Sequence, residues 1–312
     1  MAYYITGDCH GDFRKIELLC SLYKTCTEDV LIILGDFGLN YTLEKLDIER
    51  KRFLSQLPIT ILAIHGNHEA RPFELETYRE TKWKGGTVYV EETYPNILFA
   101  KDGEIYTLGN KRCIALGGAY SVDKHYRILA GLPWFESEQP TEEIKQYVEK
   151  QLRQAEWKVD YVFSHTCPLV YEPTDLLSEF ISWDKVDKST EEWLSNIERK
   201  LDYKRWYFGH FHENREYLQA EMLYEKIKEL GTDKTMICVG RPKYKKGELV
   251  LFDFDNGKEK IEKYGKISIV DEYGTLFQRK EVSYDIVDSE GILNKDIPES
   301  AICGFGDMRD EE

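Results

Sequence analysis

Five short clusters constrain this chain more than anything else in it: Asp8-Cys9-His10, Gly35-Asp36, Gly66-Asn67-His68-Glu69, Ser164-His165 and Gly209-His210-Phe211-His212. Four of the five follow directly on an apolar, β-branched or aromatic run that reads as a buried strand. The clusters hold five of the seven histidines in 312 residues, so the fold has to bring several strand ends to one place.

The rest of the pattern agrees with a layered α/β domain. Residues 2–6, 30–34 and 59–64 read as strands, and Phe13, Ile16, Leu19, Cys20 and Tyr23 recur at helical spacing behind Asp12 as an N-cap. Shorter antiparallel strands are predicted at 87–90, 97–100, 105–108 and 112–116, between Gly and Asn turns. A helix should start near Thr141, on the stripe Ile144, Tyr147, Val148, Leu152 and Ala155, and the strand 159–163 follows it. Ser189 with Glu192 three residues on reads as a capping box that opens another helix, ahead of a strand at 205–208. Residues 214–230 read as a further helix, and 235–239 and 248–254 return to strand character. A catalytic domain over 1–255 is expected. Residues 256–312 change character, with a charged stretch at 258–263, strands at 267–270 and 276–286 around a Tyr273-Gly274-Thr275 turn, and an acidic end expected to fray. They are expected to form a small β appendage.

Composition narrows the function classes. Hydrophobic residues at 42% and charged residues at 32% are ordinary for a soluble protein, and no apolar run approaches the ~18 residues that a membrane helix needs. The chain runs from Met1 straight into a strand-like segment, so a cytoplasmic protein is expected. Seven cysteines without regular spacing argue for reduced thiols over a disulfide framework or a cysteine-rich zinc site. A net charge of -15 disfavours an extended nucleic-acid-binding face. A local positive site is still allowed, because surface carboxylates are screened over roughly 8 Å at physiological salt. Two divalent ions set against Asp8, Asp36 and a bridging hydroxide leave about one net positive charge where phosphate would sit.

Two metals roughly 4 Å apart cleave phosphoesters by holding phosphoryl oxygens, making hydroxide from water and stabilising the leaving oxygen. One carboxylate must bridge them, and Asp36 is the candidate. Imidazoles with carboxylates suit Mn, Fe, Co, Ni or Zn better than Mg alone, and Mn is the first choice. Asn67 offers a neutral carbonyl oxygen, and His68 beside it is the natural proton donor, just outside the metal shell.

The ordered set resembles the calcineurin-like metallophosphoesterase superfamily, whose signature is DxH, GD, GNH[E/D], a lone His and GHxH. The resemblance implies a four-layer αββα sandwich. It also implies one metal held by Asp8, His10, Asp36 and His212, another by Asp36, Asn67, His165 and His210, and His68 as the acid. It spans about residues 3–255, including Val239-Gly240-Arg241-Pro242, which looks like the strand entry after the last histidine pair. The opening Gly-Asp-Cys-His-Gly-Asp and the Gly-Asn-His-Glu box look like the serine/threonine phosphatase and dinucleotide-polyphosphate hydrolase branch. That branch carries GDxxDRG, whereas Gly35-Asp36-Phe37-Gly38-Leu39-Asn40 lacks the second Asp, which orients the acid, and the Arg, which grips phosphate. Glu69 and Arg71 are candidate substitutes. With Gly117-Gly118-Ala119-Tyr120-Ser121-Val122-Asp123-Lys124, the chain is closer to bacterial and phage metallophosphoesterases.

Other residues have competing readings. His65 ends an apolar strand and reads as a hydrogen-bonded core histidine, while Cys9 and Cys167 read as packing. Lys124, His125, Arg127 and Trp134 fall in a segment without periodicity that reads equally as a substrate-contacting lid or a solvated loop. Arg14 either reaches phosphate or is a surface charge. The basic runs at 243–246 and 258–263 read as solvated faces. The function expected is hydrolysis of a phosphate ester by direct attack of metal-bound hydroxide. Substrates are phosphorylated small molecules, nucleotides or nucleic-acid ends, with diesters and nucleotides slightly favoured because the arginine is missing. Alternatives are a phosphomonoesterase or phosphoprotein phosphatase, and a non-catalytic binding scaffold. A protein partner or self-association through residues 256–312 is a further expectation.

Overall fold

All four residues of Val30–Ile33 are buried, which a strand achieves only when both faces of its sheet are covered. The computed structural model describes residues 1–175, 186–238, 240, 242–255, 260–271 and 282–306. The chain divides into two compact units, Met1–Lys234 and Thr235–Glu312. The first unit begins β1 (Tyr3–Thr6), α1 (Arg14–Tyr23), β2 (Val30–Ile33), α2 (Lys45–Ser55), β3 (Thr60–Ala63), β4 (Tyr78–Trp83), β5 (Gly86–Glu91) and β6 (Ile97–Ala100). It continues β7 (Ile105–Leu108), β8 (Lys111–Leu116), α3 (Lys124–Ala130), α4 (Glu142–Gln154), β9 (Tyr161–Ser164) and α5 (Ser189–Glu198). It ends β10 (Arg205–Phe208), β11 (Arg215–Glu216), β12 (Ala220–Met222) and β13 (Lys226–Glu229).

These strands form two sheets, ordered β13-β1-β2-β3-β6-β5-β4 and β11-β12-β10-β9-β8-β7. β1, β2 and β3 are parallel, with Thr6 opposite Ile33 and Ile33 opposite Ala63. β8, β9, β10 and β12 are also parallel. The sheets share one core: Val30, Ile32 and Leu34 from the first pack with Cys113, Ala115, Phe163 and Tyr207 from the second. Parallel strands need crossovers, and α1 and α2 cover the outer face of the first sheet while burying Ile16, Leu19 and Leu54. The outer face of the second sheet packs Ile114, Leu116, Val162 and Trp206 against Val148 and Leu152 of α4 and Leu194 and Ile197 of α5. The result is the helix-sheet-sheet-helix sandwich expected. A typical buried Leu or Ile contributes about 1.5–3 kcal/mol through area removed from water.

Several local expectations are corrected. Residues 214–230 are not a helix but carry β11, β12 and β13. β13 pairs antiparallel with β1, and β12 pairs parallel with β10, so two open sheet edges override the apparent helical stripe. Asn214 Oδ1 closes this loop by accepting from the N–H groups of Tyr224 and Lys226 at 3.1 and 3.3 Å. Ser189 is the first residue of α5 rather than its cap; Asp187 Oδ1 accepts from the Ser189 N–H at 2.9 Å. The N-cap of α1 is Phe13, one residue after Asp12. β6 and β8 each have a parallel neighbour, contrary to the all-antiparallel expectation. α4 does begin behind Thr141, whose hydroxyl accepts from the Ile144 N–H. α2 and β4 were not anticipated: α2 buries only Asp47, Lys51 and Leu54, and the four inner residues of β4 are exposed.

The second unit contains β14 (Thr235–Cys238) and an antiparallel five-stranded sheet, ordered β18-β17-β16-β15-β19. Its strands are β15 (Leu249–Asp255), β16 (Lys260–Asp271), β17 (Ser283–Asp288), β18 (Leu293–Pro298) and β19 (Ile302–Phe305). Val250, Phe252, Ile267, Val282, Tyr284, Ile286, Ile297 and Ile302 give it a core of its own. The boundary expected at Asp255 lies at the end of β15; of the charged stretch, residues 260–263 lie in β16 and 258–259 lie outside the described residues. Val239 and Arg241, the turn at 273–275 and the acidic end at 307–312 lie outside the described residues.

Candidate metal centre

Parallel strands put their carboxyl ends on one side, and five strands deliver the clusters there: Asp8 past β1, Asp36 past β2, Asn67 past β3, His165 past β9 and His210 past β10. In layered α/β sheets this is the side on which ligands bind. The two sheets are tied together at this point. His165 Nδ1 lies 2.7 Å from the Leu34 carbonyl, and the His210 N–H donates to Asp8 Oδ1 at 2.9 Å.

The glycines in the clusters have a steric reason. A Cβ on Gly66 would sit 2.1 Å from Asp36 Oδ1, and one on Gly209 would sit 2.3 Å from Asp8 Oδ1. Each carboxylate is thus packed against a backbone that only glycine leaves open. His10, Asp36, His210 and His212 all adopt left-handed backbone angles, with φ between 44° and 68°. Non-glycine residues held there cost of order 1–3 kcal/mol each, and such strain clusters at functional sites.

Two groups of donors converge. Ligand atoms of Asp8, His10 and His212 lie within 4.8 Å of one another, as do those of Asp8, Asp36 and His165. His10 Nε2 and His212 Nε2 are 2.8 Å apart, and Asp8 Oδ2 is 3.6 and 3.3 Å from them. Asp36 Oδ1 is 3.6 Å from His165 Nε2, and Oδ2 is 4.0 Å from His10 Nε2. His165 Nε2 approaches Asn67 Oδ1 at 2.8 Å, and the rings of His165 and His210 are 5.0 Å apart. Asp8 Oδ2 is buried without a hydrogen bond of good geometry. With its Nδ1 proton on Leu34, a neutral His165 presents a bare Nε2 to the carbonyl oxygen of Asn67. Two acceptors this close need a proton or a cation between them. The donor set of imidazole, carboxylate and amide oxygen therefore fits first-row divalent ions.

The electrostatics agree. Burial alone would raise Asp8, but His10 and His212 outweigh it and hold the carboxyl well below the usual range. Asp36 is lowered in the same way, with His165 and His68 overcoming burial. Burial would lower His165, yet the Asp36 and Asp8 carboxylates hold it up to about 9. His210 goes the other way, to about 3, through burial and the charge on His165. A cation would take the place of the His165 proton. His68 lies just outside: its Nε2 is 3.7 Å from Asp36 Oδ2, its N–H donates to Asp36 Oδ1 at 2.8 Å, and burial lowers its pKa.

The substrate-contact candidates separate. Arg14 is half-exposed and makes a bidentate pair with Asp12. Arg71 is buried, with Nη1 on Asp102 and Nε donating to the Ser137 carbonyl at 2.8 Å, so it braces the fold. Lys124 sits 4.1 Å over the Trp134 ring, and His125 is exposed on α3. Arg127 reaches the site, with Nη2 3.5 Å from His68 Nε2. Glu69 does not touch the acid; it accepts from the Gly66 N–H at 2.7 Å, and burial, with Asp36 adding to it, pushes it up to about 8. His65 is buried, but neither ring nitrogen has a well-formed hydrogen bond, contrary to expectation. Cys9 and Cys167 are buried, and burial raises both thiols.

Sequence reasoning missed three supports. Lys15 is buried in α1 and donates to the carbonyls of Gly7, Asp8 and Tyr224 at 3.2, 2.8 and 2.6 Å. Its place one helical turn before Leu19, on the apolar stripe, was the available signal. Tyr224 stacks on His212 with ring centroids 4.9 Å apart. Ser121 accepts from Asn67 Nδ2 at 2.9 Å, which aims the amide oxygen inward. Nothing in the sequence marks Tyr224, and Ser121 enters only as part of the stretch 117–124, without a role.

Sandwich and strand-end donors together define a metal-dependent hydrolase class. The calcineurin-like phosphoesterase profile matches residues 1–214, and the chain belongs to that family. No curated protein matches. One crystal structure shares 13% identity over 73% of this chain and 94% of its own, with a TM-score of 0.39. A protein of unknown function, AQ665 from Aquifex aeolicus, shares 17% identity over 53% of this chain and 80% of its own, with a TM-score of 0.27. Among the described residues, no helix is long and apolar enough to cross a membrane.

Proposed function

We propose that this member of a family of metal-dependent phosphoester hydrolases uses two divalent ions to hydrolyse a phosphate ester in a cytoplasmic setting. The observation that carries the reading is the convergence of Asp8, Asp36, His10, His165 and His212 around a buried, unsatisfied Asp8 oxygen. Asp8, His10, Asp36 and His212 would hold one ion, and Asp36, Asn67, His165 and His210 the other. When bound, the ions supply Lewis acidity and a nucleophile from water. The imidazole-rich set favours a first-row ion, with Mn first and Fe, Co, Ni, Zn or Mg behind it.

The chain's own residues do the rest. Asp8 and Asp36 stay ionised near neutral pH and keep the centre anchored. His68 is placed to pass a proton to the leaving oxygen, and its backbone N–H on Asp36 fixes it beside the reacting group. The test is Mn-dependent hydrolysis of mono- and bis-nitrophenyl phosphate, with metal content read in parallel. Asp36→Asn should keep the fold and lose turnover roughly 1,000-fold or more, the scale of removing a charge-stabilising group. A protein that binds no divalent ion would defeat the reading and leave a scaffold.

A further inference from the structure

The geometry points to Arg127 as the phosphate-gripping cation of this site, which makes the site selective for a phosphoryl group bearing two negative charges over a diester. This rests on the hydrolase reading above. The missing cation of the GDxxDRG motif is thus supplied from α3, far along the chain.

The guanidinium is held by one edge and offers the other. Nε donates to Asp123 Oδ2 at 2.7 Å, and Nη1 donates to the Tyr41 hydroxyl and the Pro133 carbonyl, each at 3.2 Å. Nη2 faces His68 Nε2 at 3.5 Å and, among the described residues, meets no carboxylate or carbonyl. His68 in turn lies 3.7 Å from Asp36. The Arg127 side chain is 13% exposed, while Asp123 is 42% exposed on the far edge and so is screened by water. One fixed positive charge therefore points at the place where acid and phosphate meet.

The segment that carries it is pinned on both sides. Ser121 holds Asn67, Trp134 Nε1 donates to Glu138 at 2.8 Å, and Arg71 holds the Ser137 carbonyl. Such anchoring pre-organises the guanidinium, so little ordering is left to spend on binding. A monoester or terminal anhydride phosphate exposes an additional anionic oxygen for Nη2, and a diester carries an ester group there. This reverses the lean toward diesters that the absent arginine suggested.

Inorganic phosphate is the probe. Calorimetric titration into Mn-loaded wild type, R127A and R127K is run beside kcat/KM for the two nitrophenyl esters. R127A should weaken phosphate binding about 10- to 100-fold, the size of one charged hydrogen bond, and cut the monoester rate constant similarly. The diester should lose less than about 3-fold, Mn binding should hold, and R127K should recover part of the loss. Helix α3 buries no residue, so truncation there leaves the core intact. Unchanged phosphate affinity in R127A, or equal loss on both esters, overturns the assignment. If the wild type binds Mn but cleaves neither ester, the hydrolase reading has failed, and the phosphate titration alone decides Arg127.

Discussion

The two halves of the candidate centre differ in how water reaches them. His165 and Asn67 are buried, whereas the side chains of His10 and His212 are 36% and 48% exposed. The buried half is held by the Leu34 carbonyl on His165 and by the Ser121 hydroxyl on Asn67. The open half leans on stacking against Tyr224 and on Lys15 beneath the strand end. Metal ligands fixed by surrounding hydrogen bonds bind more tightly than the same ligands held loosely. The halves should therefore differ in affinity, with one ion resident and the other exchanging.

Removing one ligand from each half should give the largest difference between them. His165→Ala should drop bound Mn from two per chain to one or none and cost turnover roughly 1,000-fold, beyond rescue by added metal. His212→Ala should keep one tight ion, and excess Mn should restore part of its rate. Metal content by mass spectrometry, with and without free Mn, separates them; rescue of His165→Ala but not of His212→Ala would reverse the assignment. A smaller effect is expected at Lys15. Lys15→Met leaves three carbonyls without their donor, which costs about 1–3 kcal/mol. It should weaken the open half about 10-fold while the buried half is unchanged. Thermal melts and Mn titration read both, and equal weakening of the two ions would mean that the halves are not independent.

What the sequence made legible divides differently: donors of both halves stand out, and the residues that support them do not. The clusters identified the strand ends because ligands at the carboxyl ends of parallel strands sit next to the apolar runs that build those strands. Asp8, Asp36, Asn67 and His165 needed no tertiary information to be singled out. Tyr224 and Ser121 did, since neither offers a metal-ligating atom to the centre and each is singled out only by what it touches. Residues 214–230 misled for a physical reason: the spacing of Tyr217, Ala220, Leu223 and Ile227 suits a helix, but open edges at β1 and β10 accept hydrogen bonds that only strands can give. Arg127 was one charge among several in its segment. Its distance to His68, and the commitment of Arg71 to Asp102, are facts of folding that no local pattern encodes.

The finest test concerns the support of the buried half. Thr166, next to His165, donates to Glu191 Oε1 at 2.8 Å, while Glu191 Oε2 is buried without a partner. Burial pushes this carboxyl up to about 7, with the Thr166 bond opposing. Between the ordinary carboxylate range and about 7 the folded protein holds a proton that the unfolded chain releases. Stability from this group therefore falls as pH rises across that window and is level above it. Glu191→Gln should remove the slope, matching wild type near pH 5 and exceeding it by about 2–3 kcal/mol near pH 8, an upper range for such a shift. Mn affinity should change less than about 3-fold, because the hydroxyl of Thr166 keeps an acceptor. Melts across pH with a parallel Mn titration decide it. A large loss of Mn would show that a charge on α5, and not hydrogen bonding alone, holds His165 in place.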